Sequence, residues 1–244
     1  MKIAGKTWTA LEIASRIDHT VLAPDAAAKD VEKACEEARK YRFKSVFTNP
    51  FWTPLVADLL DGTGIAAGIS AAFPLGSIST KSKVLEVEDA LNSAKGRLCA
   101  VDMVTNIGML KEKRYAAYTA DIAEVVRTAH DRAGTVVKAI LETSLLSPEE
   151  IAVACRCASE AGVDFVKTST GRSGPPLLSH IRIMRQAAAP GVGVKFSGFG
   201  THNSAELACF AFMLGADLLG TPQGPYLVDM LTGDYEELDC IMPA

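Results

Sequence analysis

Residues 136–170, VVKAILETSLLSPEEIAVACRCASEAGVDFVKTST, hold one complete strand–helix–strand unit, and the reading of that unit decides the fold. Its two ends, 136–143 and 165–170, are largely apolar runs without the strict alternation of a half-buried strand. Continuous apolar runs imply burial on both faces, the situation of a strand in a parallel sheet covered by helices. Between them, Ser147-Pro148-Glu149-Glu150 puts a capping hydroxyl before a proline at the first helical position, with acids in the first turn. That pattern opens a helix, expected over 147–161.

Outward from this unit the same alternation recurs. Strands are expected at 17–22, 45–49, 65–73, 98–107, 192–197 and 218–220 as well. Helical stretches are expected at 27–41, 51–60, 80–95, 111–133, 176–188 and 204–215, with a short turn or helix at 225–231. Eight strand–helix units in roughly 250 residues is the size and rhythm of an α/β fold of the (β/α)8 TIM-barrel type. A doubly wound sheet competes, but it usually needs fewer strands, and no GxGxxG follows the first one here. No low-complexity tract or Pro/Ser-rich linker divides the chain, so one domain is expected over 1–244.

A chain of 244 residues, 48% hydrophobic and 22% charged, can bury one sizeable core. Its net charge of −4 argues against a nucleic-acid partner, which would normally leave a basic footprint. The first twenty residues lack the apolar centre of a signal peptide, and the longest membrane candidate, 207–219, is short and broken by Gly215 and Asp217. Six cysteines follow no CxxC or zinc spacing, which fits reduced thiols and a cytoplasmic setting. Trp8 and Phe51, read as exposed, are candidates for an interface.

The chemistry is carried by three lysines on three consecutive expected strands: Lys138, Lys167 and Lys195. A lysine is costly to bury unless it is paired or its pKa is lowered, and a second amine nearby lowers the pKa of the first. The result is a neutral, nucleophilic amine near neutral pH, suited to forming a Schiff base with a carbonyl. Asp102, an acid inside the apolar run CAVDMV, supplies compensating charge and a proton-relay partner. The competing reading is a buried ion-pair network with only a structural role. Alternate residues share a face, which groups Lys138 with Ile140 and Glu142, and Lys167 with Ser169. His19 and His202 could in principle join Asp102 on a metal, but no HxH or HxxxH spacing exists, and neither a metal nor a cofactor is expected. Asn49 could contact substrate or cap the next helix, and Phe73-Pro74-Leu75-Gly76 could line a small apolar pocket.

Together these residues form a pattern that resembles the deoxyribose-phosphate aldolase family. The likeness is carried by IDHTVLAPDA, FTNP, FPLG with Thr80, Lys83 and Glu86, VDMVTNIGMLK, VVKAILETSLL, GVDFVKTSTG and GVKFSG, over nearly the whole chain. The resemblance implies a class I aldolase on a TIM barrel that cleaves 2-deoxyribose 5-phosphate to acetaldehyde and glyceraldehyde 3-phosphate. Lys167 matches the imine-forming lysine, Lys195 the second lysine, and Asp102 the acid of the proton relay. Thr20, Leu22, Phe73, Leu75 and Thr143 match the small substrate pocket. Asn49, Lys138, Ser169, Thr170, Gly171, Arg172, Ser197, Gly198, Gly220 and Thr221 complete the expected substrate-binding set. The resemblance also implies a homodimer or homotetramer.

The phosphate end departs from the family pattern. VKASGGIRT is replaced by VKFSGFGTHNSAEL, GTSSG by GTPQGP, and Phe47 stands where a cysteine is common. Bulk at Phe199 and Pro222 is expected to hinder backbone approach to an anion. Arg172 or His202 offers replacement contacts. The same imine chemistry on another aldehyde, unphosphorylated or otherwise acidic, is the alternative, and a barrel that binds a carbonyl metabolite without turnover is a second.

Overall fold

A computed structural model describes residues 2–232 except 4, 133 and 201–203. Eight strands close into a barrel in which every neighbouring pair is parallel. They are β1 (Ile17–Val21), β2 (Ser45–Thr48), β3 (Ala66–Ala71), β4 (Leu98–Val104), β5 (Val136–Ile140), β6 (Phe165–Lys167), β7 (Gly193–Ser197) and β8 (Leu218–Thr221). The helices are α1 (Ala10–Ala14), α2 (Ala28–Tyr41), α3 (Thr53–Leu60), α4 (Thr80–Ser93), α5 (Ile107–Lys111), α6 (Tyr115–His130), α7 (Pro148–Glu160), α8 (Leu178–Ala187), α9 (Ala205–Met213) and α10 (Gly224–Thr232). A small antiparallel ribbon, Lys2–Ile3 with Lys6–Thr7, precedes α1. No helix among the described residues is long and apolar enough to cross a membrane.

The period of two along each strand separates two interiors. Outward residues such as Val46, Val101, Met103, Val137, Ala139, Val194 and Phe196 pack against the inner faces of the helices and form the hydrophobic core. Inward residues, Asp18, Phe47, Asp102, Lys138 and Lys195, are just as buried but mostly charged. Adjacent residues in the chain thus meet different solvents: hydrocarbon outside the sheet, other charges inside it.

Local signals act as expected at α7, where Ser147 Oγ accepts from Glu150 N and Glu150 Oε2 accepts from Ser147 N, 2.8 Å away, closing a capping box. Elsewhere the chain turns earlier than its apolar runs suggest. The run 98–107 ends as a strand at Val104, because the Asn106 side chain accepts from Met109 N and starts α5. The helix expected over 111–133 is shorter, α6 at Tyr115–His130, separated by Lys113 with φ 59° from α5, which begins where the expected strand ends. Strand β5 stops at Ile140, since Glu142 takes a left-handed φ of 56° before a 3-10 turn, Thr143–Leu145. Trp8 corrects another expectation: it is buried and stacked on Phe212 at 5.6 Å. Phe51 is 80% exposed.

A second buried ion pair lies in the helix layer. Lys83 Nζ on α4 donates to Asp121 Oδ2 on α6 (2.7 Å) and to the Val104 carbonyl (3.1 Å), while Thr80 Oγ1 donates to Asp121 Oδ1 (2.8 Å). One turn further along α4, Glu86 Oε2 accepts from Ala72 N (2.8 Å), fixing the turn that carries Phe73.

Candidate active site

The inward face of the barrel brings five charged groups together. Strand register sets Asp102 beside Lys138 across β4–β5, and Lys167 beside Lys195 across β6–β7. Asp102 Oδ2 accepts from both Lys167 Nζ and Lys195 Nζ at 2.7 Å, and Asp102 Oδ1 lies 3.4 Å from Lys138 Nζ. Asp18 on β1 completes the set, its Oδ2 2.7 Å from Lys195 Nζ and 3.3 Å from Lys138 Nζ, while Ser45 Oγ donates to Oδ1. Three amines therefore share two carboxylates.

That imbalance separates the amines. Burial disfavours the charge on Lys167, and the nearby Lys195 and Lys138 add repulsion that Asp102 only partly offsets, so its pKa falls to about 8. Lys195 is just as buried, but contact with both Asp102 and Asp18 outweighs the burial and raises its pKa. For Asp102 burial works toward protonation, and Lys167, Lys195 and Lys138 overcome it, leaving the carboxyl well below the usual carboxylate range. Asp18 is lowered too, since Lys138 and Lys195 override its burial. Near neutral pH the arrangement keeps Lys195 as an ammonium and both aspartates ionised. Of Lys167 and Lys195, Lys167 gives up its proton the more readily.

Lys167 also opens onto solvent-accessible space. A cavity of about 580 Å³ lies at the C-terminal ends of the strands, with Lys167 in its wall. Of the expected binding residues, Thr20, Leu22, Phe73, Thr170, Gly171, Arg172, Ser197, Gly198, Gly220 and Thr221 line it. Lys138 does not; it sits within the charge network. Thr143 and Ser169 are fully buried, their hydroxyls 3.3 Å apart, and Thr143 is 3.0 Å from His180 Nδ1. Asn49 Nδ2 donates to the Ala23 carbonyl (3.3 Å), and Leu75 is 69% exposed.

The rim has its own order. Thr170 Oγ1 donates to Glu142 Oε2 and accepts from Arg172 N (3.0 Å), and the Arg172 guanidinium donates to the Leu22 carbonyl (3.2 Å). Glu142, expected to share the face of Lys138, instead serves this loop. Gly171 and Gly198, with φ of 81° and 87°, pack backbone on backbone; a Cβ on Gly198 would stand 2.6 Å from Gly171 N. Phe199 is only 5% exposed, its ring stacked on Phe196 at 5.0 Å. Its ring packs toward the core, yet the residue still lines the cavity beside Gly198. Pro222 lines the cavity as well.

His19 is on the outward face of β1, where Nε2 meets Glu37 Oε2 at 2.9 Å on α2, away from Asp102. His202 lies outside the described residues. Among the described residues no cluster of His, Cys, Asp or Glu could hold a metal ion.

Asp18 and Phe47 are the inward residues that the sequence reading left unassigned. The signal for Asp18 was available: by the period of two it shares a face with Thr20 inside an apolar run.

Comparison with known proteins agrees with this geometry. Residues 13–206 match the model of the DeoC/LacD family aldolases. Deoxyribose-phosphate aldolases of Clostridium novyi and Enterococcus faecalis are 41% and 42% identical, over 87% and 92% of this chain and 93% and 99% of theirs. The solved deoxyribose phosphate aldolase of Aeropyrum pernix, described as tetrameric, superposes with a TM-score of 0.84 at 28% identity, over 92% of this chain and 93% of that one. A charge network aimed at one amine, the barrel that holds it and these likenesses converge: the chain belongs to the DeoC/LacD family of aldolases.

Proposed function

We propose that the protein is a class I aldolase that forms an imine through Lys167 and cleaves 2-deoxyribose 5-phosphate to acetaldehyde and glyceraldehyde 3-phosphate. The observation that carries this reading is the shared Asp102 oxygen, 2.7 Å from both Lys167 and Lys195, beneath a cavity that only Lys167 of the two lines.

The neutral Lys167 amine attacks C1 of the open-chain sugar, and loss of water leaves a protonated imine. The iminium withdraws electrons, so the C3 hydroxyl passes its proton to water in the cavity, from which Lys195 is recharged by the end of the cycle; the C2–C3 bond breaks and glyceraldehyde 3-phosphate departs. The two carbons left on Lys167 form an enamine, which takes a proton at C2. Lys195, held as an ammonium, is the source of that proton, with Asp102 as the bridge between the two amines. Water then releases acetaldehyde and regenerates Lys167. Arg172, Gly171 and Gly198 at the rim are the proposed contacts of the phosphate. No metal or cofactor enters the scheme.

Reduction with borohydride during turnover tests it. A two-carbon adduct mapped to Lys167 is the expected result with 2-deoxyribose 5-phosphate. An adduct with acetaldehyde but not with the sugar phosphate would keep the imine and replace the acceptor. No adduct on Lys167 with either would refute the reading. Unpaired cysteines among the described residues fit a cytoplasmic setting, and a homo-oligomer is the proposed assembly.

A further inference from the structure

Phe47 is a large side chain inside the barrel that the imine scheme does not use. It is fully buried on β2. Its ring lies beneath two ammonium groups, with Lys195 Nζ 4.2 Å and Lys138 Nζ 4.3 Å from the centroid. Space for the ring is provided by the strand alongside. Gly68 pairs with Phe47 across β2–β3, and a Cβ there would stand 2.7 Å from the ring. Any other residue at 68 would push the ring away from the lysines.

The face of an aromatic ring carries partial negative charge, and its attraction for a cation grows when both are removed from water. Lys138 and Lys195 together face Asp18 on β1, Asp102 on β4, and Lys167 on β6. With all five groups ionised, three positive charges meet two negative ones. The ring is a further electron-rich surface in that space, and it is offered to the two amines that do not line the cavity. Among the described residues no aromatic ring lies over Lys167.

We propose that Phe47 is a positioning residue of the charge network: its ring face, packed under Lys195 and Lys138, holds Lys195 as an ammonium ion, which leaves Lys167 as the amine that must go without a proton. This rests on Lys167 being the imine-forming amine. The sign follows directly. Removing the ring face takes a stabilising contact from the charged form of Lys195, so Lys195 releases its proton at lower pH. The alkaline limb of kcat/KM, where the proton donor is lost, then moves toward neutrality. The limb set by Lys167 stays where it is.

The test compares the wild type with Phe47→Leu and with a series carrying one, two and three ring fluorines on Phe47, which weaken the ring's negative face at nearly constant shape. Two readouts are taken: kcat/KM against pH for 2-deoxyribose 5-phosphate, and direct titration of the Lys195 and Lys138 side chains by NMR of 13Cε-labelled lysine. The expected result is a downward shift of about one pH unit in Lys195 titration and in the alkaline limb for Phe47→Leu. The fluorinated series should shift in graded steps. Unmoved Lys195 titration across the fluorinated series would overturn the proposal and leave Phe47 as a space-filler. That series also decides the matter if Phe47→Leu fails to fold. Failure of the imine reading is distinguishable, because it would remove the borohydride adduct from the wild type while the NMR titration still reports on the ring.

Discussion

Two buried lysines, Lys83 in the helix layer and Lys167 inside the barrel, look alike by burial: each is 1% exposed or less and each donates to an aspartate at 2.7 Å. Burial also lowers the pKa of both, against the pull of Asp121 and Glu86 on Lys83, and of Asp102 on Lys167. A depressed lysine is therefore not by itself a reactive one. Lys83 shares its carboxylate with no second amine, only with the Thr80 hydroxyl, has a carbonyl besides, and does not line the large cavity. Lys167 shares its carboxylate oxygen with a second amine and lines that cavity. Company and access, rather than depth, separate the proposed nucleophile from the fastener.

The widest gap between the two should appear on deletion. Lys167→Ala is expected to lower kcat by at least about 10⁴ while circular dichroism and melting stay close to wild type. Residual turnover near the wild-type rate would erase the distinction. Asp102→Asn removes the charge that both Lys167 and Lys195 lean on, and a fall of about 10²–10³ in kcat is expected, measured at substrate saturation. Lys83→Met is the mirror image. It leaves Asp121 buried without its cation and should cost roughly 3–5 kcal/mol in urea unfolding, with kcat per folded molecule nearly unchanged. A large loss of kcat at full folding would place Lys83 in the chemistry after all.

Smaller effects sharpen the comparison. Because attack needs the neutral amine, kcat/KM should rise with pH to a plateau above the Lys167 pKa of about 8, losing about tenfold for each unit below it, and fall again only on the alkaline limb where Lys195 loses its proton. A profile flat from acid to alkaline pH would remove Lys167 as the titrating nucleophile. Arg172→Ala reaches only the rim. It should raise KM for the phosphorylated sugar by about tenfold and leave trapping of acetaldehyde on Lys167 unaffected.

The barrel was legible because its evidence is periodic. Runs such as 136–143 and 165–170 carry burial on both faces in their composition, and Ser147-Pro148 marks a helix start with a local hydrogen bond. Lys167, Lys195 and Asp102 were legible for the opposite reason: charges that break apolar runs need an explanation. What stayed hidden depends on three-dimensional company. Glu142 shares a strand phase with Lys138, but a single left-handed residue turns it toward Thr170. Phe199 lines the cavity as its place in the chain suggests, but its ring finds a stacking partner in Phe196 that the sequence does not announce. Trp8 reads as exposed because nothing in the first sixteen residues announces Phe212, some two hundred positions away, as its partner.

The backbone contact between Gly171 and Gly198 has a further consequence for how this enzyme can change. The loops after β6 and β7 meet with no side chain between them, and a methyl group on Gly198 would collide with atoms that cannot swing aside. Neither loop can drift without the other, so new acceptors cannot be reached by loosening the rim a little at a time. Variation is channelled instead into what protrudes from a fixed frame, at positions such as Arg172 and Pro222. A laboratory search for altered acceptor preference should therefore spend its diversity there and leave the two glycines alone.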